Sequence, residues 1–339
     1  MSSEAELIER IAFLARRSSE DLILGIGDDA AIIRKDEVQW SLLSIDSQIE
    51  NVHFRREYTP PRMLGHKALA VNLSDIAAMG GTPRFALLSL NVPKSIEPSY
   101  VEEVLAGMAT LADQYSTILI GGDIAASGNG LAMTVTIIGE CPAGRALRRD
   151  GARPGDLIFV TGRLGLAAFG LQLLQQGYRY APDLPLPLQR PILAHLQPVP
   201  RLEVGQALAE RQLANALIDI SDGLSTDLFH ICQASGVGAV VYAEKVPIAQ
   251  EIPDGLSVTG LEMALNGGED YELLFTVAKE NVEQVESLRD QFSDPPITLI
   301  GEITNEAGRI YLEQARELTP LLPRGHDHLQ QGKHEPAPK

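Results

Sequence analysis

Hydrophobic residues recur along the chain with two different periods, and the switches between them predict its elements. Leu7, Ile8, Ile11, Leu14 and Ala15 fall on one helical face, with Ser3 and Glu6 spaced as a capping box at its start. Strand-like apolar runs follow at 40–45, 85–92, 117–120 and 133–138. Between them, Pro61 opens a helix predicted over 61–79 that Gly80 and Gly81 stop, and a second helix is expected over 98–115. The basic, glycine-containing stretch 144–155 reads as a boundary between domains. Beyond it, strands are expected at 156–161, 239–242, 271–277, 297–300 and 309–312, with a helix over 164–176. The Pro-rich stretch 181–191 reads as an extended surface connection, and 331–339, polar with two prolines, as a disordered tail. The division expected is therefore 1–147, 148–330 and the tail. An Ile-Gly-Glu echo at 138–140 and 300–302 hints at two related halves.

Composition narrows the function classes. A chain of 339 residues, 45% of them hydrophobic, can bury two cores. It has no run of about 18 apolar residues such as a bilayer span needs. Its first residues lack the basic and apolar regions of a secretory signal. Cys141 and Cys232 lie far apart and form no metal-spaced pair, so a reducing cytoplasm is the expected compartment. The formal charge of −17, without a dense Lys/Arg run, argues against nucleic acid and anionic membrane as partners. If the substrates are phosphates, bound cations must neutralise much of the charge.

Aspartates collect where the pattern breaks. Asp28 and Asp29 lie in "LGIGDDAAII", Asp46 in "LLSIDS", Asp123 in "ILIGGD", and Asp219 and Asp222 in "LIDISDG", each read as a strand end running into a Gly- or Ser-rich turn. Asp75 falls with Leu64, Ala68, Val71 and Ala78 on an otherwise apolar helical stripe, where a carboxylate requires a cation or hydrogen-bond donors. One such aspartate is an ordinary turn former. Seven, with almost no lysine beside them, point to a shared site for Mg²⁺ or Ca²⁺, which favour hard oxygen ligands.

Other phosphate-binding patterns fail on their chemistry. Gly25-x-Gly27-x-x-Ala30 mimics a dinucleotide loop, but Asp28 and Asp29 inside it would repel pyrophosphate. No P-loop and no protein-kinase motif set occurs. Residues 219–230 fail as an EF-hand, because Gly223 comes one place early and His230 stands where Glu belongs. Asp219 and Ser221 lead instead into a strand-to-helix turn at Asp222-Gly223, able to offer N–H groups to a phosphate, or simply a helix cap. "NGGEDYELLF" places Glu269 and Asp270 either at a ligand or in a tight turn. His53 in "NVHF" and the cluster Arg145, Arg148 and Arg149 are open in the same way between phosphate or substrate contact and plain structure.

Together "GIGDDAA", "HF", "KALAVNLSDIAAMGGTP", "GGD", "GRALRRDGARPGD", "IDISDG" and "GGEDYELLFT" resemble the thiamine-monophosphate kinase family in order and spacing, over residues 20–328. The wider group is the aminoimidazole-ribonucleotide-synthetase-like superfamily. The resemblance implies a two-domain α+β fold whose N-terminal mixed sheet forms the interface of a homodimer. It also implies Mg²⁺-dependent direct transfer of the ATP γ-phosphoryl to thiamine monophosphate, with several Mg²⁺ ions per site and no catalytic nucleophile. By the same resemblance the metal ligands are Asp29, Ser44, Ile45 through its carbonyl, Asp46, Asp75, Asp123, Asp219 and Asp222. ATP contacts are Gly122, Asp123, Arg149 and Ser221, and substrate contacts are His53, Glu269 and His326.

The chain departs from the family pattern at three places. Ile45 stands where Thr is common, "GGDIAAS" replaces a Thr-containing run, and His326 in "RGHDH" stands where an aromatic residue stacks on the substrate. The rivals are another ATP-using synthetase of the superfamily, of the aminoimidazole-ribonucleotide or selenophosphate type, and a non-enzymatic acidic cation-binding protein. Against the selenophosphate type, the first cysteine is Cys141 rather than one near the N-terminus.

Overall fold

A computed structural model describes residues 4–15, 18–253, 255–292 and 294–325. The first half runs α1 (Glu4–Leu14), β1 (Leu22–Leu24), β2 (Ala31–Arg34), β3 (Gln39–Ile49), α2 (Pro61–Ala78), β4 (Thr82–Pro93), α3 (Pro98–Gln114), β5 (Ile118–Ser127) and β6 (Ala132–Pro142). The second runs β7 (Leu157–Thr161), α4 (Leu166–Gln175), α5 (Leu186–Leu196), α6 (Leu202–Glu210), β8 (Ala214–Asp219), α7 (Leu224–Ser235) and β9 (Gly238–Tyr242). It ends with α8 (Gly260–Asn266), β10 (Leu273–Val277), α9 (Val282–Gln291), β11 (Ile297–Thr304), β12 (Ile310–Gln314) and β13 (Glu317–Pro320). Among the described residues no helix is long and apolar enough to cross a membrane.

The strands form two mixed sheets. One has six strands in the order β1-β2-β3-β6-β4-β5, with only β4 and β5 parallel. The other has seven in the order β13-β12-β9-β11-β7-β10-β8, with only β12 and β9 parallel. The central strands of the second sheet are buried on both faces. Phe159, Leu217, Leu273 and Phe275 join the core of the first half, while Ile158, Val160, Ile218 and Leu274 pack under α7. This alternation is the period of a strand, and it welds the halves through one side of the sheet. A third apolar cluster joins Tyr58 and Met63 to α4 and α5.

α2 is the axis of the molecule. Leu64, Leu69, Leu73, Ile76, Ala77 and Met79 are all fully buried, and so are Lys67, Asn72 and Ser74. The helix is thus enclosed on nearly every side rather than along the single stripe its sequence suggested. Its crossing with α3 is close because it is built on glycines: a Cβ on Gly65 would lie 1.8 Å from the Val104 carbonyl oxygen.

Two further expectations are corrected. The Pro-rich stretch is not wholly extended, because α5 starts at Leu186 within it. Pro187 falls in the first turn, where no N–H is needed, and Pro191 forfeits one helical hydrogen bond while packing tightly on Gly170 of α4. Asp46 and Asp123 are not at strand ends. β3 pairs with β6 along its whole length, with Asp46 opposite Val135, and β5 continues past Asp123, which pairs with Ser89. The amphipathic α1 is present, yet Leu7, Ile8, Ile11 and Leu14 are exposed. Its expected cap Ser3, like the tail 331–339, lies outside the described residues.

Candidate active site

Carboxylates meet where α2 passes between the two sheets. Asp29 comes from the turn after β1, Asp75 from the last turn of α2 and Asp219 from the end of β8, and oxygens of all three lie within 4.8 Å of one another. Adjacent residues of α2 fix this arrangement. Ser74 Oγ donates to Asp219 Oδ2 at 2.5 Å, and Asp75 Oδ2 accepts from Ser44 Oγ of β3 at 2.5 Å. One helix turn therefore holds a residue from each sheet. Ser44 and Asp46 pair with Ile137 and Val135, both buried, so they face the α2 side of the first sheet, and Ile45 is exposed on the other.

The electrostatics are those of an acid cluster short of positive charge. Burial, then Asp46 and Asp219, push the Asp75 carboxyl well above the ordinary range. Burial, then Asp29, push Asp219 up to about 8. Burial and then Asp29 also raise Asp28 to about 6, against Arg149. Arg149 brings a guanidinium to the cluster: its Nη2 donates to Asp29 Oδ1 at 2.5 Å, Nε lies 3.6 Å from Asp28 Oδ1, and its backbone N–H donates to Asp28 Oδ2 at 3.2 Å. Asp29 Oδ2 is buried with no hydrogen-bond partner. Hard, anionic oxygens at short mutual distance, one of them unpartnered, fit a divalent cation such as Mg²⁺.

The remaining expected residues separate into groups. Asp222 and Ser221 lie in the bend between β8 and α7. Asp227, which the sequence reading missed, accepts the N–H groups of Asp222 and Gly223 at 3.2 and 3.0 Å. An oxygen of each of Asp222 and Asp227 lies near a ring nitrogen of His230, all within 4.8 Å. A carboxylate four places beyond the helix-opening glycine, where α7 leaves its first N–H groups unpaired, is the signal that marks Asp227. Asp123 is not in the cluster; it is exposed on edge strand β5. Beside it Gly122 (φ +154°) is required by strand pairing, since a Cβ there would lie 1.8 Å from the Leu88 carbonyl oxygen. His53 Nδ1 accepts the Ile49 N–H at 3.0 Å, which places the proton of its neutral ring on Nε2. In the basic cluster Arg149 turns to the aspartates, Arg148 pairs with Asp150 at 2.5 Å, and Arg145 is exposed. His326 lies outside the described residues.

The loop carrying Glu269 and Asp270 divides its two acids. Asp270 accepts from the N–H groups of Gly165 and Ala167 at 2.7 and 3.2 Å, so it caps α4. Glu269 lies beside Ser221, to whose carbonyl its N–H donates at 2.7 Å, and meets two nitrogens unnoticed in the sequence: Lys67 Nζ at 2.7 Å and His195 Nδ1 at 2.9 Å. The signal for Lys67 was a cation set in the apolar run "MLGHKALAV".

Family models described as AIR synthase related protein, N-terminal domain and C-terminal domain, match residues 27–141 and 153–313. The chain is 42% identical to the thiamine-monophosphate kinase of Salmonella typhimurium, covering 89% of this chain and 90% of that protein. It is 39% identical to that of Escherichia coli K12, covering 96% and 98%. A solved structure of AaThiL complexed with AMPPCP and TMP superposes with a TM-score of 0.82 at 35% identity, covering 96% of this chain and 97% of that one.

Proposed function

The chain belongs to the thiamine-monophosphate kinase family, within the AIR synthase related proteins, and from that premise we propose that it transfers the ATP γ-phosphoryl to thiamine monophosphate. The observation that carries the proposal is the meeting of Asp29, Asp75 and Asp219 within 4.8 Å between the two sheets. Such a cluster repels a nucleotide unless cations join it, so the reaction depends on magnesium. When bound, magnesium neutralises the polyphosphate and withdraws charge from the transferring group.

The residues themselves hold and orient. Ser44 and Ser74 fix Asp75 and Asp219 by hydrogen bonds, and Arg149 fixes Asp29. By the family resemblance Ile45 through its carbonyl, Asp46, Asp123 and Asp222 would join the metal ligands, although Asp123 stands outside the acid cluster on β5. Gly122, Asp123, Arg149 and Ser221 would contact ATP, and His53 and Glu269 the acceptor, while the third expected acceptor contact, His326, lies outside the described residues. An acceptor phosphate oxygen forms its bond to the γ-phosphorus as the bond to the β–γ bridging oxygen breaks, and ADP leaves with that electron pair. The attacking oxygen is already ionised at neutral pH, so no general base is needed.

The uncovered face of the first sheet supports a homodimer built through residues 1–147, with 148–330 as the second domain; Ile45, Phe85, Leu87, Ile118 and Ile120 are all exposed. Two free, buried cysteines support a cytoplasmic location. The test is formation of thiamine diphosphate and ADP from ATP and thiamine monophosphate, with and without a chelator. Asp46→Asn and Asp75→Asn should each lower kcat by ~10²-fold or more. Intact ATP after prolonged incubation of wild-type protein with both substrates and magnesium would sink the proposal.

A further inference from the structure

Glu269 is held in an unusual way. Its oxygens are divided between two elements: Oε1 lies 2.7 Å from Lys67 Nζ on α2, and Oε2 lies 2.9 Å from His195 Nδ1 on α5. Lys67 is 1% exposed and His195 3%, whereas the Glu269 side chain is 26% exposed, so the acid keeps some access to solvent and its two holders do not. Among the described residues neither nitrogen has a hydrogen-bond partner besides this carboxylate. A lysine buried for a single carboxylate contact is costly, and the backbone adds to the cost: Glu269 and Tyr271 both have positive φ, +68° and +50°. A fold keeps such an arrangement readily where it serves a ligand.

The position of the acid says which part of a ligand it meets. Lys67 and Ser74 stand seven residues apart on α2, hence on one face and about 10 Å apart along the axis. Ser74 holds Asp219 at the acid cluster, while Lys67 holds Glu269 from two helical turns earlier on α2. An acid there repels phosphate and attracts a cation. We propose that Lys67 and His195 are positioning residues that fix Glu269 as the anchor for the cationic organic end of the acceptor. The role rests on the transfer reaction proposed above.

The surrounding charges favour an ionised anchor. Burial opposes ionisation of Glu269, but Lys67 and then His195 outweigh it and carry the carboxyl well below the ordinary range. Burial, reinforced by Lys67, lowers His195, which therefore meets Glu269 as a neutral Nδ1–H donor. Tyr58 and Tyr271 also sense Glu269, each raised chiefly by burial, and Asp270 is turned away to cap α4.

The experiment is steady-state kinetics on the full chain across about pH 6 to 8, with Lys67→Met, Glu269→Gln, the double variant, His195→Leu and His195→Gln. Lys67→Met should raise KM for thiamine monophosphate about tenfold, leave KM for ATP unchanged, and make the former rise further as pH falls. Glu269→Gln should raise it as much without the pH dependence, and the double variant should be no worse than Glu269→Gln. His195→Gln, which keeps an N–H donor, should rescue the defect of His195→Leu. A carbon-13 titration of the Glu269 carboxyl, read without turnover, should move upward in Lys67→Met. Equal KM changes for both substrates, additive effects or an unmoved Glu269 titration would overturn the positioning role. Should Lys67→Met not fold, the His195 pair and the wild-type titration decide: an ordinary wild-type Glu269 carboxyl overturns it. Absence of thiamine diphosphate from wild-type protein overturns the transfer reaction instead, and the titration still decides the positioning role.

Discussion

Asp219→Asn should stabilise the metal-free protein while disabling it. Asp219 is fully buried, accepts a hydrogen bond from Ser74 that an asparagine oxygen can also accept, and lies within 4.8 Å of two other carboxylates. Its carboxyl is raised from 3.8 to about 8, so the sign is fixed: the folded state holds this proton more tightly than the unfolded one. The associated stability is fully present below about pH 4 and is lost as pH rises towards 8. At 1.36 kcal/mol per tenfold, the stability lost relative to the acid form is roughly 5 kcal/mol by pH 8 and less than half of that at pH 5. That loss is shared with Asp29 and Asp75, so neutralising one member should recover about 2 kcal/mol at pH 8, a Tm rise of about 3 °C in a chain of this size.

The assay is thermal unfolding of wild type and Asp219→Asn at both pH values, in chelator and in magnesium. In chelator at pH 8 the variant should melt higher; at pH 5 the gap should close. Magnesium at about 100 times its dissociation constant adds about 2.7 kcal/mol to the protein that binds it. Wild type should therefore overtake the variant, with kcat of the variant reduced ~10²-fold or more. A variant that melts lower than wild type in chelator at pH 8 would refute the reasoning, as would an order that magnesium leaves unchanged.

Two other predictions need less argument. The exposed face around Leu87 and Ile120 should pair with a second copy, so light scattering should report twice the 36.7 kDa of one chain, and Leu87→Glu with Ile120→Glu should return the monomer. Gly65→Ala should destabilise by about 3 kcal/mol or more, because its Cβ would meet the Val104 carbonyl oxygen at 1.8 Å; denaturant unfolding with an unchanged midpoint would contradict the close α2–α3 crossing.

What the sequence disclosed and what it concealed follow from how far each signal reaches along the chain. Helices opened by proline and stopped by glycine, such as α2, were legible because the punctuation is local. Most of the second sheet's strands were legible from their apolar runs, though not β13, whose Glu317–Pro320 has no apolar run, and Asp29 and Asp219 were legible from the turns around them. Asp46 was placed wrongly because a polar residue in mid-strand looks like a strand end until its partner strand is known, and here Asp46 pairs with Val135. α5 was hidden because prolines at 187 and 191 suggest extended chain, and only packing against α4 offsets the lost hydrogen bond. Lys67 and His195 could not be paired with Glu269 by any local rule, since the three come from distant segments.

α2 explains why the site assembles at all. A helix with one apolar face could present Asp75 to the first sheet, but it could not reach the second. Enclosure on all sides lets successive residues serve different neighbours: Ser74 holds Asp219 of the second sheet while Asp75 takes Ser44 of the first, about 100° around the helix. Two turns earlier Lys67 serves Glu269 from the same face as Ser74. The polar residues buried in α2 are therefore the cost of placing an acceptor anchor and a phosphoryl-transfer centre on one rigid rod, where loops alone would let their separation drift.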